Sequence, residues 1–231
     1  MKDARSSIII ASWSELSELI EECTKDKWIF RGEDRWNEAL VPKAGRVGKG
    51  KGVARKKPYK KADEEAALKQ FKRQARPYVL HQPTSDLEWL AIAQHHGMAT
   101  RLLDWTESLL VACYFAVVSA GVEGDARIYG AKNISEISEA QAKKPFDIDD
   151  VLLYRPPHIT PRIPAQRSVF TVHSDPTVNF MPMVTIWTIG EDACAKIKGI
   201  LDACGVNESS LFPDMDGLAR YVGWRYKWGK F

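Results

Sequence analysis

The feature that most constrains the fold is a string between Gln94 and Val118 that changes character twice. Before it, Ser85-Asp86-Leu87-Glu88 has the spacing of a capping box, which predicts a helix that ends near Gly97. The segment Met98 to Trp105 then alternates in the manner of a strand. Leu109 to Val118 is apolar enough to predict a buried helix. The string therefore predicts a helix, a strand and a helix that all contribute to a core.

The same string carries polar residues that are costly to bury. Thr100, Leu102, Asp104 and Thr106 point to one side of an extended segment, and Arg101, Leu103 and Trp105 point to the other. An acid and a hydroxyl would therefore share a face, with the last helical turn at His95 nearby. This pattern indicates either a binding site or a buried, fully satisfied polar network.

The rest of the chain predicts an α+β fold in one domain over residues 1–231. We expect helices mainly in the N-terminal half, packed on a mixed, largely antiparallel sheet. Helices are predicted from the Ser12-Trp13-Ser14-Glu15 capping box to Thr24, over 62–76 and 191–204, and from Pro213 onward. Strands are predicted over 27–32, 126–131, 151–154, 168–173 and 184–189.

Composition excludes several classes of protein. No apolar stretch reaches the roughly 20 residues that span a bilayer, and the N-terminal apolar run is too short for a signal sequence, so we expect a cytoplasmic protein without membrane contact. The cysteines, which form no Cys-x-x-Cys pair, are expected to be buried free thiols. No metal site is expected.

A basic segment lies between Lys43 and Lys61. It contains nine Lys or Arg residues, four glycines and no acid, so it predicts a mobile loop. The charge fits a solvated loop or contact with the phosphates of RNA, DNA or a dinucleotide.

Arg31 and Gly32 form the first candidate for a binding site. A guanidinium near the end of a central strand can hold a phosphate through two hydrogen bonds. The glycine would let a ligand approach the backbone. A structural ion pair is the alternative role for Arg31.

Four motifs occur in order along about residues 28 to 220, and together they resemble the FRG-domain family of bacterial and phage proteins. They are Phe30-Arg31-Gly32; a block that runs Gln94-His95-x-Gly97-x-x-Thr100-Arg101-Leu102-Leu103-Asp104-Trp105-Thr106; Pro161-Arg162-Ile163-x-x-Gln166-x-Ser168-x-Phe170; and Leu211-Phe212-Pro213-Asp214-x-Asp216. Ser168 replaces a glycine of the family pattern, and its side chain leaves less room for a ligand to approach the backbone there. Asp214 and Asp216 also suit the start of the last helix.

The layout also resembles, more loosely, the arginine-type ADP-ribosyltransferases. In that superfamily an aromatic-Arg-Gly strand holds NAD, a Ser-Thr-Ser strand leads into a helix that braces the nicotinamide site, and a later glutamate polarises the ribose. Phe30-Arg31-Gly32 is similar to the first element, and Trp105-Thr106-Glu107-Ser108 is similar to the second. Gln166 stands nearest to the glutamate and lacks its charge.

The resemblance implies an NAD-using ADP-ribosyltransferase-like or NAD-cleaving effector in phage defence or a toxin–antitoxin system, with an antitoxin or a defence protein as its partner. In this hypothesis Arg31 holds the pyrophosphate and Thr106 orients the ribose. Trp105 or Tyr114 stacks on nicotinamide, and Asp104 or Glu107 supplies the missing carboxylate. Further candidate residues for cofactor binding or catalysis are Gly32, His95, Arg101, Arg162 and Gln166.

Two other classes of function fit the same residues. The first is a non-catalytic module that binds a nucleic acid or nucleotide through its arginines and the basic segment. The second is a metal-independent nuclease in which His95 or His96 acts as general acid and base.

Overall fold

The helices begin where side chains can satisfy their first backbone N–H groups. The computed structural model describes residues 8–34, 40–46, 57–79, 82–118, 125–180 and 183–229. Ser12 and Glu15 form the predicted capping box at the first helix, and Ser85 caps the third by accepting from the backbone N–H of Glu88. Gly97 follows the third helix with φ of 92°, a conformation that favours glycine.

The described residues form nine helices and seven strands. The helices are α1 Trp13–Cys23, α2 Lys61–Ala75, α3 Asp86–His95, α4 Leu109–Val117, α5 Glu139–Ala142, α6 Arg162–Gln166, α7 Glu191–Ala203, α8 Glu208–Leu211 and α9 Met215–Lys227. The strands are β1 Ile8–Ile10, β2 Ile29–Glu33, β3 Leu102–Thr106, β4 Ala126–Ala131, β5 Leu152–Tyr154, β6 Ser168–Val172 and β7 Thr185–Ile189. Two short 3-10 turns, Lys43–Gly45 and Arg76–Tyr78, complete the regular structure of this part of the chain.

The strands form one sheet in the order β1-β7-β4-β2-β3-β6-β5. Only the β1–β7 pair is parallel, and the other neighbours are antiparallel. The predicted α+β class with a largely antiparallel sheet is therefore confirmed. The two long helices that follow the last strand, α7 and α9, correspond to the helices predicted over 191–204 and from Pro213.

Core residues cover both faces of the sheet. Adjacent residues of β2 belong to different clusters: Phe30 packs with α1, α4 and α7, whereas Ile29 packs with Leu40 and Phe180. Adjacent residues of β3 divide in the same way, since Leu102 joins the cluster of α2 and α3 and Leu103 joins that of Ile29. This alternation follows from the period of two of a strand.

Helix α4 packs directly against β2 at Gly32. A Cβ added at Gly32 would lie 2.6 Å from the backbone nitrogen of Ala116 and 2.8 Å from the carbonyl carbon of Ala112. The sequence interpretation assigned this glycine to the approach of a ligand. The structure shows that its missing side chain makes room for the helix backbone.

Several sequence-based expectations need correction in detail. The last helix was predicted from Pro213, but Asp214 is the N-cap of α9, which begins at Met215. Cys204 is exposed, because it lies at the C-terminal end of α7.

The predicted mobile loop over 43–61 includes residues 47–56, which lie outside the described residues. Its two described ends are ordered by local structure: Lys43 opens a 3-10 turn and donates to the carbonyl of Gly97, and Lys61 begins α2. None of the described helices is long and apolar enough to cross a membrane.

Candidate active site

The candidate site is a cleft of about 340 Å³ between β2, β3, the end of α3 and the α6–β6 segment. Pairing between β2 and β3 is limited to Phe30 opposite Thr106. Beyond that pair, Arg31 links the strands, because its Nη1 donates to the backbone carbonyl of Asp104 at 2.9 Å. The cleft therefore opens where the two central strands of the sheet have no further pairing.

All four sequence motifs contribute to this cleft. Its lining consists of Phe30, Arg31, Gly32, Gln94, His95, Asp104, Trp105, Thr106, Phe115, Arg162, Gln166, Ser168 and Phe212. Residues that are far apart in the chain thus form one surface with both polar groups and aromatic rings.

Arg31 is held by acidic and carbonyl groups on one side of its guanidinium. Its Nε lies 2.9 Å from Oε1 of Glu33, which is buried, and its Nη1 lies 3.8 Å from Oδ2 of Asp104. These contacts use Nε and Nη1. Nη2 has no hydrogen-bond partner among the described residues, so it can donate to an anionic ligand.

Asp104 presents an exposed carboxylate to the cleft. Its side chain is 62% exposed, and its Oδ1 accepts a hydrogen bond from Nε2 of Gln94 at 2.9 Å. The side-chain oxygen of Gln94, Oε1, in turn accepts a hydrogen bond from the hydroxyl of Thr100. Because the amide of Gln94 is fixed at both ends, Asp104 is oriented while one of its oxygens remains open toward the cleft.

His95 lines the cleft with a neutral imidazole. Burial lowers the pKa of His95, and the positive charge of Arg162 lowers it further. At neutral pH the ring therefore carries no charge and can donate or accept a hydrogen bond. His96 caps the same helix, is exposed and lies outside the lining, so the structure does not bring the two histidines together in the cleft.

The C-terminal motif closes one wall of the cleft. Nε of Arg162 donates to Oδ2 of Asp214 at 3.1 Å, which lowers the pKa of that carboxyl, and the Arg162 guanidinium lies over the ring of Phe212. Nε2 of Gln166 donates to the carbonyl of Leu211 at 3.0 Å. The amide nitrogen of Gln166 is thus used to hold the chain together.

Thr106 and Trp105 reach the cleft without offering free polar groups to it. The hydroxyl of Thr106 donates to the carbonyl of Gln166 at 2.7 Å and accepts from the backbone of Ser108 at 3.0 Å. The indole of Trp105 is buried and donates to Thr171 at 2.9 Å. These positions do not support ribose orientation by Thr106 or nicotinamide stacking by Trp105.

Three other candidate residues lie away from the cleft. Arg101 is fully buried, where it contacts Glu64 and Tyr59. Tyr114 is buried and donates to Glu208. Glu107 pairs with Arg155 at 2.9 Å in a neighbouring pocket. Each of these residues satisfies a structural contact instead of facing a ligand in the cleft.

Five cleft residues were not among the sequence-based candidates, and one of them, Phe30, was named only as part of the motif that contains Arg31. Gln94 belongs to the same motif as Asp104, and Phe212 precedes Asp214 in the last motif, so the motifs themselves contained the signal. Ser168 had been noted only as a departure from the family pattern. Phe115 lies in the apolar helix α4, where nothing in the sequence distinguishes it from core residues.

The described residues include no group of three or more His, Cys, Asp or Glu side chains that could hold a metal ion. An anionic ligand with an aromatic part suits the cleft, since the guanidinium of Arg162 lies over the ring of Phe212, which itself contacts the ring of Phe115.

Comparisons with known proteins find one recognised domain in part of the chain. No curated protein and no solved structure matches the chain significantly. A family model described as the FRG domain matches residues 26–123, which include Arg31 and the block from Gln94 to Thr106. This match shows that residues 26–123 carry an FRG domain.

Proposed function

We propose that the cleft binds NAD and that the protein cleaves its nicotinamide–ribose bond, either to transfer ADP-ribose or to release it. One observation carries the proposal: Arg31 on β2, Asp104 on β3 and Gln166 at the end of α6, just before β6, lie around one cleft. In the resemblance to ADP-ribosyltransferases, Arg31 stands at the position of the arginine, the end of β3 at Thr106 stands at that of the hydroxyl-bearing strand, and Gln166 stands at that of the glutamate.

Arg31 suits the recognition of a pyrophosphate. Its guanidinium is oriented by Glu33 and the carbonyl of Asp104, while Nη2 remains available to a ligand. A guanidinium that is already oriented loses less rotational freedom when it binds a phosphate. The rings of Phe115 and Phe212 supply apolar surface for a nucleobase or for nicotinamide.

Asp104 is the carboxylate that the geometry favours for catalysis. Cleavage of the nicotinamide–ribose bond develops positive charge at the ribose carbon, and a fixed anion nearby stabilises that charge. Gln166 cannot supply such an anion. Glu107 pairs with Arg155 outside the cleft, whereas Asp104 is oriented by Gln94 and exposed. Arg162 and His95 would contact the parts of the ligand near the opposite wall.

Substitutions of Arg31 and Asp104 test the proposal. Thermal melting with and without NAD measures binding, and the release of nicotinamide measures cleavage. Arg31→Lys keeps the charge but loses Nη2 and the contacts that orient the guanidinium, so we expect weaker binding of NAD by roughly tenfold or more. Asp104→Asn has nearly the same shape and keeps an oxygen that can accept from Gln94, but it removes the negative charge. We therefore expect binding to persist and nicotinamide release to fall by about 100-fold.

Arg73→Ala on the exposed surface of α2 is the matched control and is expected to behave as the wild type. If millimolar NAD neither raises the melting temperature nor yields nicotinamide, the proposal fails. A role in phage defence or as a toxin follows from the same activity, because depletion of NAD arrests the cell that contains the active protein.

A non-catalytic nucleic-acid or nucleotide-binding module is the second candidate function. Arg46, in the basic segment, lies close enough to Arg31 for the positive charge of Arg31 to lower its pKa, after the larger effect of burial. The described start of the segment therefore adds positive charge near the cleft. The same melting experiment with RNA or DNA distinguishes this candidate, since its stabilisation should fall steeply with salt.

A further inference from the structure

Helix α9 carries an apolar stripe that faces solvent. Another side of the helix is packed, because Gly217 is buried against the backbone of Phe212 and the ring of Trp224 lies 5.4 Å from Nζ of Lys198 in α7. The stripe consists of Met215, Leu218, Val222 and Tyr226, which are 77%, 47%, 43% and 79% exposed. The helix therefore has two apolar sides, and the fold covers only one of them.

The spacing of the stripe places its four residues on one face of α9. They follow one another at intervals of three, four and four residues, which matches the period of a helix. Gly217 and Trp224 face the core from a direction roughly 140° away around the helix axis. Single exposed apolar residues are common on protein surfaces, whereas a contiguous apolar patch marks an interaction site.

The stripe is symmetric about Val222. Leu218 precedes Val222 by four residues, and Tyr226 follows it by four. When two such helices lie antiparallel across a two-fold axis at Val222, Leu218 of each copy meets Tyr226 of the other. The two Val222 side chains then meet each other. The stripe is thus complementary to itself, as the interface of a symmetric dimer requires.

The charges beside the stripe also select an antiparallel copy. Asp216 and Lys227 are eleven residues apart, which is about three helical turns, so they lie on the same side of the stripe. In the antiparallel pair, Asp216 of each copy faces Lys227 of the other. A parallel pair would bring like charges together instead, at a cost in binding.

A lipid surface is the other covering that an apolar helix face suits. Helices that lie on anionic membranes carry Lys and Arg beside the apolar face. In α9 the first residue beside the stripe is the acidic Asp216, and both arginines already have contacts. Arg220 pairs with Glu208 at 2.6 Å, and Arg225 donates to the hydroxyl of Tyr221 at 3.3 Å. The charges therefore favour a second copy of the chain over a membrane.

We propose that the stripe of α9 is the contact surface of an antiparallel homodimer with its two-fold axis at Val222. A helix of this length extends for about 20 Å, so a single pair of helices buries less area than the roughly 1,200–2,000 Å² of a stable interface. The dimer is accordingly weak, with a Kd of about 1–100 µM. It requires neither NAD nor an intact cleft, so its test is independent of the proposed function.

Sedimentation equilibrium of the full chain, from about 1 to 500 µM, brackets this Kd. We expect the average mass of the wild type to rise from that of one chain toward that of two. Val222→Asp places two carboxylates against each other on the axis and should weaken the dimer by about 100-fold or more. Val178→Asp, at a valine outside α9 that is 59% exposed, is the matched control and should dimerise as the wild type does.

Charge reversal tests the direction of the pair by a change at exposed positions. Asp216→Lys and Lys227→Asp should each weaken the dimer by roughly tenfold, because each creates like-charged contacts. The double variant, or a mixture of the two single variants, restores opposite charges only in an antiparallel pair and should recover the affinity. Circular dichroism of each variant verifies that the helices remain folded.

Several results would overturn the inference. A wild type that stays monomeric up to about 500 µM refutes it, and flotation of such a monomer with phosphatidylserine vesicles would assign the stripe to a membrane instead. A dimer that Val222→Asp leaves intact uses another surface. Failure of the double variant to recover rules out the antiparallel arrangement.

Discussion

Replacement of Gly32 by alanine should strongly destabilise the protein, because the backbone of α4 occupies the space of a side chain. The added Cβ would lie 2.6 Å from the nitrogen of Ala116 and 2.8 Å from the carbonyl carbon of Ala112. Nonbonded carbon atoms prefer separations of about 3.5–4.0 Å. Helix α4 would therefore have to move away from β2 by roughly an ångström, and neither contact can be relieved by the rotation of a side chain.

The cost follows from what α4 buries. The helix is apolar on all sides and contacts both β2 and the core cluster of α1 and α7, so it cannot move without opening that packing. Overpacking of a core lowers the free energy of unfolding by about 1–3 kcal/mol. Here the added Cβ meets backbone atoms of α4, which cannot rotate away, so the cost should lie at or above the upper end of that range. At about 2–4 °C per kcal/mol for a chain of this size, Gly32→Ala should lower the melting temperature by roughly 6–12 °C.

Gly223→Ala provides the matched control. It makes the same chemical change within α9, where an added Cβ meets no atom within 4 Å, and alanine favours a helix over glycine by up to about 1 kcal/mol. Chemical denaturation of the three proteins gives the free energies of unfolding. If Gly32→Ala loses less than about 1 kcal/mol relative to the wild type, the packing argument for this glycine is wrong.

Two further predictions concern buried charge. Glu64→Ala leaves the fully buried guanidinium of Arg101 without its carboxylate and should lower the free energy of unfolding by about 3–5 kcal/mol. Glu65→Ala, on the exposed side of the same helix, should change the free energy of unfolding by less than about 0.5 kcal/mol. Equal effects in urea denaturation would contradict this assignment. Burial, with a smaller effect of the Arg101 charge, lowers the pKa of His173 to about 4. The neutral histidine therefore contributes its full stability above pH 6.5, and this contribution is lost as the pH falls from 6.5 toward 4. Over that range the wild type should lose about 3 kcal/mol more than His173→Gln, and parallel pH profiles would show that the histidine does not titrate in this way.

Local signals in the sequence predicted the elements well. Caps at Ser12 and Ser85 and the glycine at position 97 mark helix ends through contacts within one turn, so they can be read without knowledge of the fold. Alternation in β3 correctly separated Leu102 from Leu103 because strand geometry alone decides opposite faces. The prediction of a single domain over residues 1–231 stays a prediction.

The sequence predicted the neighbourhood of the site better than the role of each residue. Alternation placed Arg101 on the face opposite Asp104, but it could not reveal that Glu64, from a helix that precedes it by 37 residues, would bury it in an ion pair. Tyr114 was ambiguous for the same reason, since its partner Glu208 comes from α8. The role of Gly32 depends on a helix 80 residues later. Such roles arise from tertiary neighbours, which periodicity does not specify.

The wall that Leu211, Phe212 and Asp214 add to the cleft has a consequence during biosynthesis. All seven strands of the described residues precede residue 190, so the sheet leaves the ribosome before this wall does. The contacts of Arg162 with Asp214 and of Gln166 with Leu211 form only afterwards. A nascent chain would thus carry Arg31 and Asp104 on a folded sheet without a complete cleft, and any activity would begin only once the last two helices have emerged.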